Sequence, residues 1–455
     1  GSSSQKLTTA NSCCSMSSHG AESSALVGAA TGSFLEPSAA EPRSTVFGAT
    51  LILINSIIGS GIVGLPAVFH IGGFFSGIGV ISLASSLTAY SLVLLVGTGA
   101  KCGKLTYESL AEHAFGRPGT LIVAFSLFCF DYGAMLTYLV ILGSMSESVL
   151  KLVLSLNDSS WWLTSHALRR ISMIALSALM SLPLCLMRDI SSLEKASGVS
   201  IASLAVVTGV IAFKFVSTAV AGELDGFHDR FTGTGPGVFE AFSIICFAFV
   251  CQDSAFLVYG TLRDKTARNW RTTASGGMFG AVLLCMILAV TGFLTFGPET
   301  CSDILNNYSN SDTVMVVARA LYMCVMTLVY PISFFVSRHI CNVVFFGGDF
   351  TSTMPVGRFL GVTCGLWGSS ILITSIVFDL SVVMSLAGAF GATTLAFILP
   401  PMMHLRLGYT HCREAVRSPS AWLSFFILLF GLVALVGSIY QTFQRQASPP
   451  AHCAR

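Results

Sequence analysis

Asn55-Ser56-Ile57-Ile58-Gly59-Ser60-Gly61-Ile62-Val63-Gly64-Leu65-Pro66 lies inside an apolar run, residues 46–69, that is long enough to cross a bilayer. Its middle holds three glycines, two serines and an asparagine, and a proline closes it. In a helix interior Gly costs about 1 kcal/mol against Ala and Pro about 3. The pattern predicts a span broken near its centre. Unpaired backbone at that depth is tolerated only where it is buried in protein or lines a cavity. Freed N–H groups there can hold a carboxylate, and freed carbonyls a cation. A packing face of small residues is the plainer alternative, but it needs neither Asn55 nor Pro66.

The composition agrees with a membrane setting. Of 455 residues, 53% are hydrophobic and 10% charged, with a mean hydropathy of +0.77. Soluble domains carry about 25% charged residues, so the chain reads as an all-α polytopic membrane protein with the lipid bilayer as its surroundings. Its net charge of +2 comes from basic residues scattered between apolar runs, and nucleic-acid binding has no support. The 14 cysteines show no paired CxxC spacing, and most sit in apolar runs as small hydrophobes. Cys301 falls in a connecting loop without an obvious nearby partner, so no disulfide framework is expected. No HExxH, GxSxG or phosphate-binding loop stands out, which argues against an enzyme, and no bound cofactor is implied.

Residues 1–45 are rich in Ser, Ala, Thr and Gly and read as a disordered tail. Eleven spans follow, at 46–69, 74–99, 119–150, 171–188, 196–220, 238–260, 273–297, 313–346, 357–378, 381–405 and 421–443. With a cytoplasmic N-terminus, 16 Lys and Arg residues fall on the inner side and 7 on the outer, as the positive-inside rule requires. The acceptor triplets Asn157-Asp158-Ser159 and Asn307-Tyr308-Ser309 both fall outside, making Asn157 and Asn307 candidate glycosylation sites. A short outer tail, residues 444–455, ends the chain.

The eleven spans divide as five, five and one: a first repeat at 46–220, a second at 238–405, and an extra helix at 421–443. On that division the sixth span pairs with the first around a central site. It carries the polar patch Cys251-Gln252-Asp253-Ser254 but no Gly or Pro, and the two halves share no visible sequence similarity. Asn55 offers a neutral oxygen suited to an alkali cation, or an interhelical hydrogen bond. In the eighth span Pro331 frees a carbonyl close to Thr327. The Thr327 hydroxyl could join Asn55 at a cation, or bond its own helix. Asp131 and Asp253 are acids inside spans, and hence candidates for a proton or cation site. Lys214 lies near a span end, where its ammonium can snorkel to the interface.

These residues resemble a known family. The Asn55–Pro66 stretch looks like the first-helix motif of the sodium-coupled neutral amino acid transporters, within the amino acid/auxin permease group. Leu105-Thr106-Tyr107-Glu108-Ser109-Leu110-Ala111-Glu112-His113-Ala114-Phe115-Gly116 is similar to that family's loop between the second and third helices. Phe247-Ala248-Phe249-Val250-Cys251 is similar to its sixth-helix motif, and Gly388-Ala389-Phe390-Gly391-Ala392-Thr393-Thr394 to its tenth.

The resemblance implies a leucine-transporter-like inverted repeat with helices 1 and 6 unwound, carrying neutral amino acids inward with sodium. It implies a substrate carboxylate on the amides around Gly59, Ser60 and Gly61, and a substrate side chain near Phe247, Phe249 and Cys251. By motif position Asn55 and Thr327 would hold sodium. Gln252 departs from the pattern, since many relatives have His there, and Leu65-Pro66 also occurs in vacuolar or lysosomal proton-linked carriers. Three accounts therefore stand: sodium symport at the plasma membrane, proton coupling through Asp131 or Asp253 in an acidic organelle, and an amino acid sensor that does not transport.

Overall fold

The computed structural model describes residues 44–153, 165–187, 196–222, 230–231, 235–309, 312–347, 354–377, 379–409 and 412–446. The tail over 1–43, the chain end after 446 and Asn157 lie outside the described residues. Those described form helices and their connections, with no β-strand among them. Among the described residues nine helices are long and apolar enough to cross a bilayer, and a bent pair makes a tenth if its halves count as one span. An apolar helix of 12 residues, Val238–Phe249, is too short to span alone.

The bent pair is the first span. Helix α1 (Val46–Ile57) starts at Thr45, whose hydroxyl accepts from the Gly48 N–H at 3.2 Å. It stops where Gly59 turns extended, and a 3-10 segment, Ser60–Gly64, leads into α2 (Leu65–Gly72). Pro66 sits in the first turn of α2, where its missing N–H costs nothing. The two halves meet at 59°.

Helix α3 (Phe74–Cys102) then runs to α4 (Tyr107–Phe115), which Thr106 caps at the Ser109 N–H. The long α5 (Arg117–Val153), α6 (Ser165–Leu176), continued to Cys185 by a π-turn, and α7 (Ala196–Val220) complete the first half. The sixth span is also broken. Helix α8 (Val238–Phe249) ends at extended Val250, and α9 (Ala255–Thr261) resumes after Ser254. Helices α10 (Ala267–Phe296), α11 (Thr313–Phe346) and α12 (Val356–Thr374) follow.

The tenth span explains its motif. Helix α13 (Leu380–Ala387) widens into π-turns over Gly388–Ile398 before α14 (Leu399–Leu407). Widening leaves carbonyls outside the helix ladder, and two find partners at once. Tyr107, from the second quoted motif, donates to the Leu395 carbonyl at 2.7 Å, and Ser91 donates to that of Ala396. Gly388 and Gly391 bring this helix against the backbones of Ser243 in α8 and Phe130 in α5, closer than any side chain would permit.

The last helix, α15 (Pro419–Gln446), fastens the start of α8. Gln441 accepts from the N–H groups of Phe239 and Glu240 at 2.9 and 3.1 Å, and Arg445 pairs with buried Glu240 at 2.7 Å. Two expectations change. Lys214 does not merely snorkel but pairs with Asp312 at 2.5 Å. Cys301 is disulfide-bonded, a pairing that closeness in space permits and chain spacing could not reveal.

Candidate functional site

A cavity of about 400 Å³ opens at the two breaks. It is lined by the end of α1 and the turn after it, the facing end of α8, the start of α9, and parts of α5, α7 and α11; α2 contributes nothing. Both broken spans give their interrupted segments to one space. That follows from local sequence in the first, where Gly59 adopts an extended conformation with φ −130° and ψ −153°. Nothing lies within 4 Å of where a Gly59 side chain would start, so this glycine keeps the cavity clear. Gly61 does the opposite work: a Cβ there would stand 2.8 Å from Ala248 Cα, so the glycine lets the first break touch helix α8. Across the gap, the Ser56 and Ser254 hydroxyls meet at 2.5 Å and link the two breaks directly.

The expected residues distribute unevenly. Asn55, Gly59, Gly61, Phe247, Asp131 and Asp253 all line the cavity. Ser60 belongs to the 3-10 segment, and its side chain lies outside the described residues. Phe249 and Cys251 are fully buried and are not part of the lining. Thr327 is buried as well, and its hydroxyl donates to its own helix at the Met323 carbonyl, 2.9 Å away. Another α11 hydroxyl residue, Ser333, does line the cavity and is a hydrogen-bond partner of Asp131. Asn307 spends its amide on its own loop, donating to the Glu299 carbonyl at 2.7 Å and accepting from the Cys301 N–H at 2.9 Å.

The two acids differ in setting. Asp131 is 8% exposed and sits against Ser333. Asp253 is exposed to the cavity, its carboxylate held by the N–H groups of Asp253 and Ser254, and it is near enough to act electrostatically on Asp131. Gln252 is fully buried; its carbonyl oxygen accepts from the Cys251 N–H at 3.1 Å, and its NH2 has no partner among the described residues. Sequence reasoning missed Tyr138, Tyr322 and Ser333 in the lining. Nothing local marks them, because the lining face of a long buried helix is chosen by its neighbours.

Beyond the 3-10 segment lies a packed layer. Gly64 packs under the Met384 sulfur and the Ser302 carbonyl, and Ile304 and Pro66 both lie against Gly292. This layer is pinned by buried Asp303, which accepts from the Leu305 N–H at 3.1 Å and the Ser144 hydroxyl at 3.3 Å. Burial pushes this loop carboxyl up to about 6, despite the neighbouring Arg319 and Arg169.

A space framed by two interrupted helices, offering free backbone groups, a neutral amide, hydroxyls and carboxylates, suits a small zwitterion together with a cation. Comparison with known proteins narrows this. The family model for transmembrane amino acid transporter proteins matches residues 42–444. A Rattus norvegicus protein named "Putative sodium-coupled neutral amino acid transporter 11" is 32% identical over 365 residues, covering 80% of this chain and 78% of the rat protein. The Homo sapiens protein of that name is 28% identical over 367 residues, covering 80% of this chain and 88% of its own. "Vacuolar amino acid transporter 2" of Saccharomyces cerevisiae is 26% identical over 414 residues, covering 88% and 84%. With nearly all of its membrane-spanning part matched, the chain belongs to the transmembrane amino acid transporter family, whose members carry solute and are not enzymes.

Proposed function

We propose that the chain is a secondary active transporter that imports amino acids by sodium symport, with substrate bound at the unwound segments of the first and sixth spans. The carrying observation is the single cavity shared by both breaks and reached by Asn55. In this reading the chain crosses the membrane eleven times, as two inverted repeats of five helices plus one. The N-terminus is cytoplasmic, and the side that holds Asp303 faces out. The disulfide at Cys301, on that outer side, supports the orientation, since disulfides persist in oxidising surroundings. The substrate carboxylate lies on the amides at Gly59–Gly61, its side chain toward Phe247, and sodium at Asn55. Phe249, Cys251 and Thr327 then act from behind the lining. The names of the rat and human relatives support a neutral amino acid and sodium; the plasma membrane is the place of import in this reading.

For the cation gradient to drive transport, the ion and substrate must favour one conformation over the other by differential binding. Proteoliposomes given a panel of labelled amino acids under a sodium gradient, a proton gradient, or neither test this. Sodium-driven accumulation, with its sodium dependence lost in Asn55→Ala, is expected; undiminished sodium dependence in that variant refutes the assignment.

A second reading has an observation of its own: Asp131 and Asp253 face one cavity and feel one another. One carboxyl shared between ionised and protonated forms could couple transport to protons, as in an acidic organelle, and the yeast relative's name supports that compartment. Accumulation under the proton gradient alone would select it.

A further inference from the structure

With both of its acids ionised, the cavity does not balance its charge with a neutral substrate. Its described lining contains two carboxylates, Asp131 and Asp253, and no Lys, Arg or His. A bound zwitterion brings one positive and one negative group, so the formal sum with two ionised acids is −2, and one sodium at Asn55 leaves −1. An uncompensated charge in a largely apolar enclosure is costly, and it is relieved by a proton on one acid, as in the second reading above, or by a further cation. The acids are also unequal. Asp131 is shielded and held by Ser333, whereas Asp253 is exposed to the cavity and held on one side by backbone N–H groups, leaving the rest of its oxygen valence open. A further buried group points the same way. Tyr322, 1% exposed, lines the cavity, and its hydroxyl has no hydrogen-bond partner among the described residues. Such an unpaired polar group is expensive to keep without a ligand to meet it.

We propose that this cavity accepts basic amino acids as well as neutral ones and prefers them, with Asp253 receiving the cationic end of the substrate side chain. This rests on the cavity being the substrate site, as argued above. Asp131 then serves the α-ammonium, and Tyr322 donates to or accepts from the polar groups between them. The volume of about 400 Å³ falls within the usual range for small-molecule sites and leaves room for a long side chain.

The test compares lysine with norleucine, which lacks the ε-ammonium, in proteoliposomes holding the full chain. Membrane potential is clamped at zero so that lysine's charge confers no driving force. The KM for lysine should be at least tenfold below that for norleucine. Asp253→Asn should bring the ratio close to one whatever it does to the absolute rate, and Asp253→Glu should restore the preference. Equal or better handling of norleucine by the unaltered chain overturns the proposal without any variant. So does an unchanged ratio in Asp253→Asn, including the case where that variant instead removes acid stimulation of both substrates alike. Gly59→Trp separates the two levels of argument. If filling the cavity leaves uptake of both amino acids intact, the cavity is not the substrate site, and both this proposal and the placement of the substrate fall together.

Discussion

Gly61→Ala is the sharpest perturbation of the site's architecture. The new methyl would stand 2.8 Å from Ala248 Cα and 2.9 Å from its Cβ. Carbon atoms in contact prefer about 3.5–4.0 Å, so the first break and α8 must separate by nearly 1 Å. Ala248 Cα is backbone and cannot swing aside as a flexible side chain would. Overpacking of this kind costs about 1–3 kcal/mol, which is a loss of about 5-fold to 150-fold in the population of this conformation. Gly59→Ala is the internal control. It adds the same methyl two residues earlier, where nothing lies within 4 Å and φ is −130°. Both variants would be followed by thermal melting in detergent and by uptake in proteoliposomes. Gly61→Ala should melt well below the unaltered protein and lose most uptake, while Gly59→Ala should melt with the unaltered protein. If Gly61→Ala melts and transports normally, the close approach of the two broken spans is not what holds the site, and the argument fails.

Three other expectations follow from contacts away from the glycines. Removing both Ser56 and Ser254 hydroxyls should show a coupling of about 1 kcal/mol in a double-mutant cycle of melting stabilities, because the pair at 2.5 Å is a net hydrogen bond between the breaks; strict additivity would deny it. Arg445→Ala leaves Glu240, 1% exposed, without its partner and should cost about 3 kcal/mol, with Glu240→Gln recovering part of that loss; an unaffected melting point would show that α15 does not fasten α8 through this pair. Asp303 has a carboxyl raised from 3.8 to about 6, so its protonated form is the one the fold favours. Its contribution is therefore fully present below about pH 4 and is lost as pH rises through about 6, a swing of about 3 kcal/mol. Melting of the unaltered protein relative to Asp303→Asn should fall across that window, and a flat difference would contradict the burial of that carboxyl.

How legible these features were depended on whether their cause is local. The first break could be read directly, because Gly59, Gly61 and Pro66 act on their own backbone. The sixth span has no such residue, and only the polar run Gln252-Asp253-Ser254 hinted at the interruption between Phe249 and Ala255. The helix ends at extended Val250, two residues after Ala248, which packs against Gly61 of the first break, a contact that no local propensity encodes. Asp131 and Asp253 could each be flagged as intramembrane acids, but their shared cavity depends on how α5 packs beside the break in the sixth span. Thr327 shows the converse. It stands near Pro331 as sequence suggests, yet the helix turns its hydroxyl to Met323, and Ser333 reaches the cavity instead. The tenth-helix glycines were recognised only as a motif. Their reason is the close approach to Ser243 and Phe130, and the widened turns whose carbonyls Tyr107 and Ser91 satisfy.

The half-helices are not joined only to their own continuations. On the side of the chain start, Ser44 donates to the Thr261 carbonyl at 2.8 Å and accepts from the Arg263 N–H at 3.1 Å, tying the beginning of α1 to the end of α9. Ser56 and Ser254 tie their other ends. On the opposite side the Gly237 N–H donates to the Ile71 carbonyl at 3.3 Å, and Gly72 lies close to Ala241, joining α2 to α8. Each broken span is thus divided at the cavity and bound, on either side of it, to the matching half of the other. The result is two composite rods meeting at residues 58–64 and 250–254. Backbone rotation confined to those joints would move one rod against the other while leaving the bonds inside each rod intact, which is the economy of a hinge. It also places the proposed substrate groups at the joints about which such a rotation would occur. A ligand bound there can therefore favour one arrangement of the rods over the other, and that differential affinity is what coupling an ion gradient to transport requires.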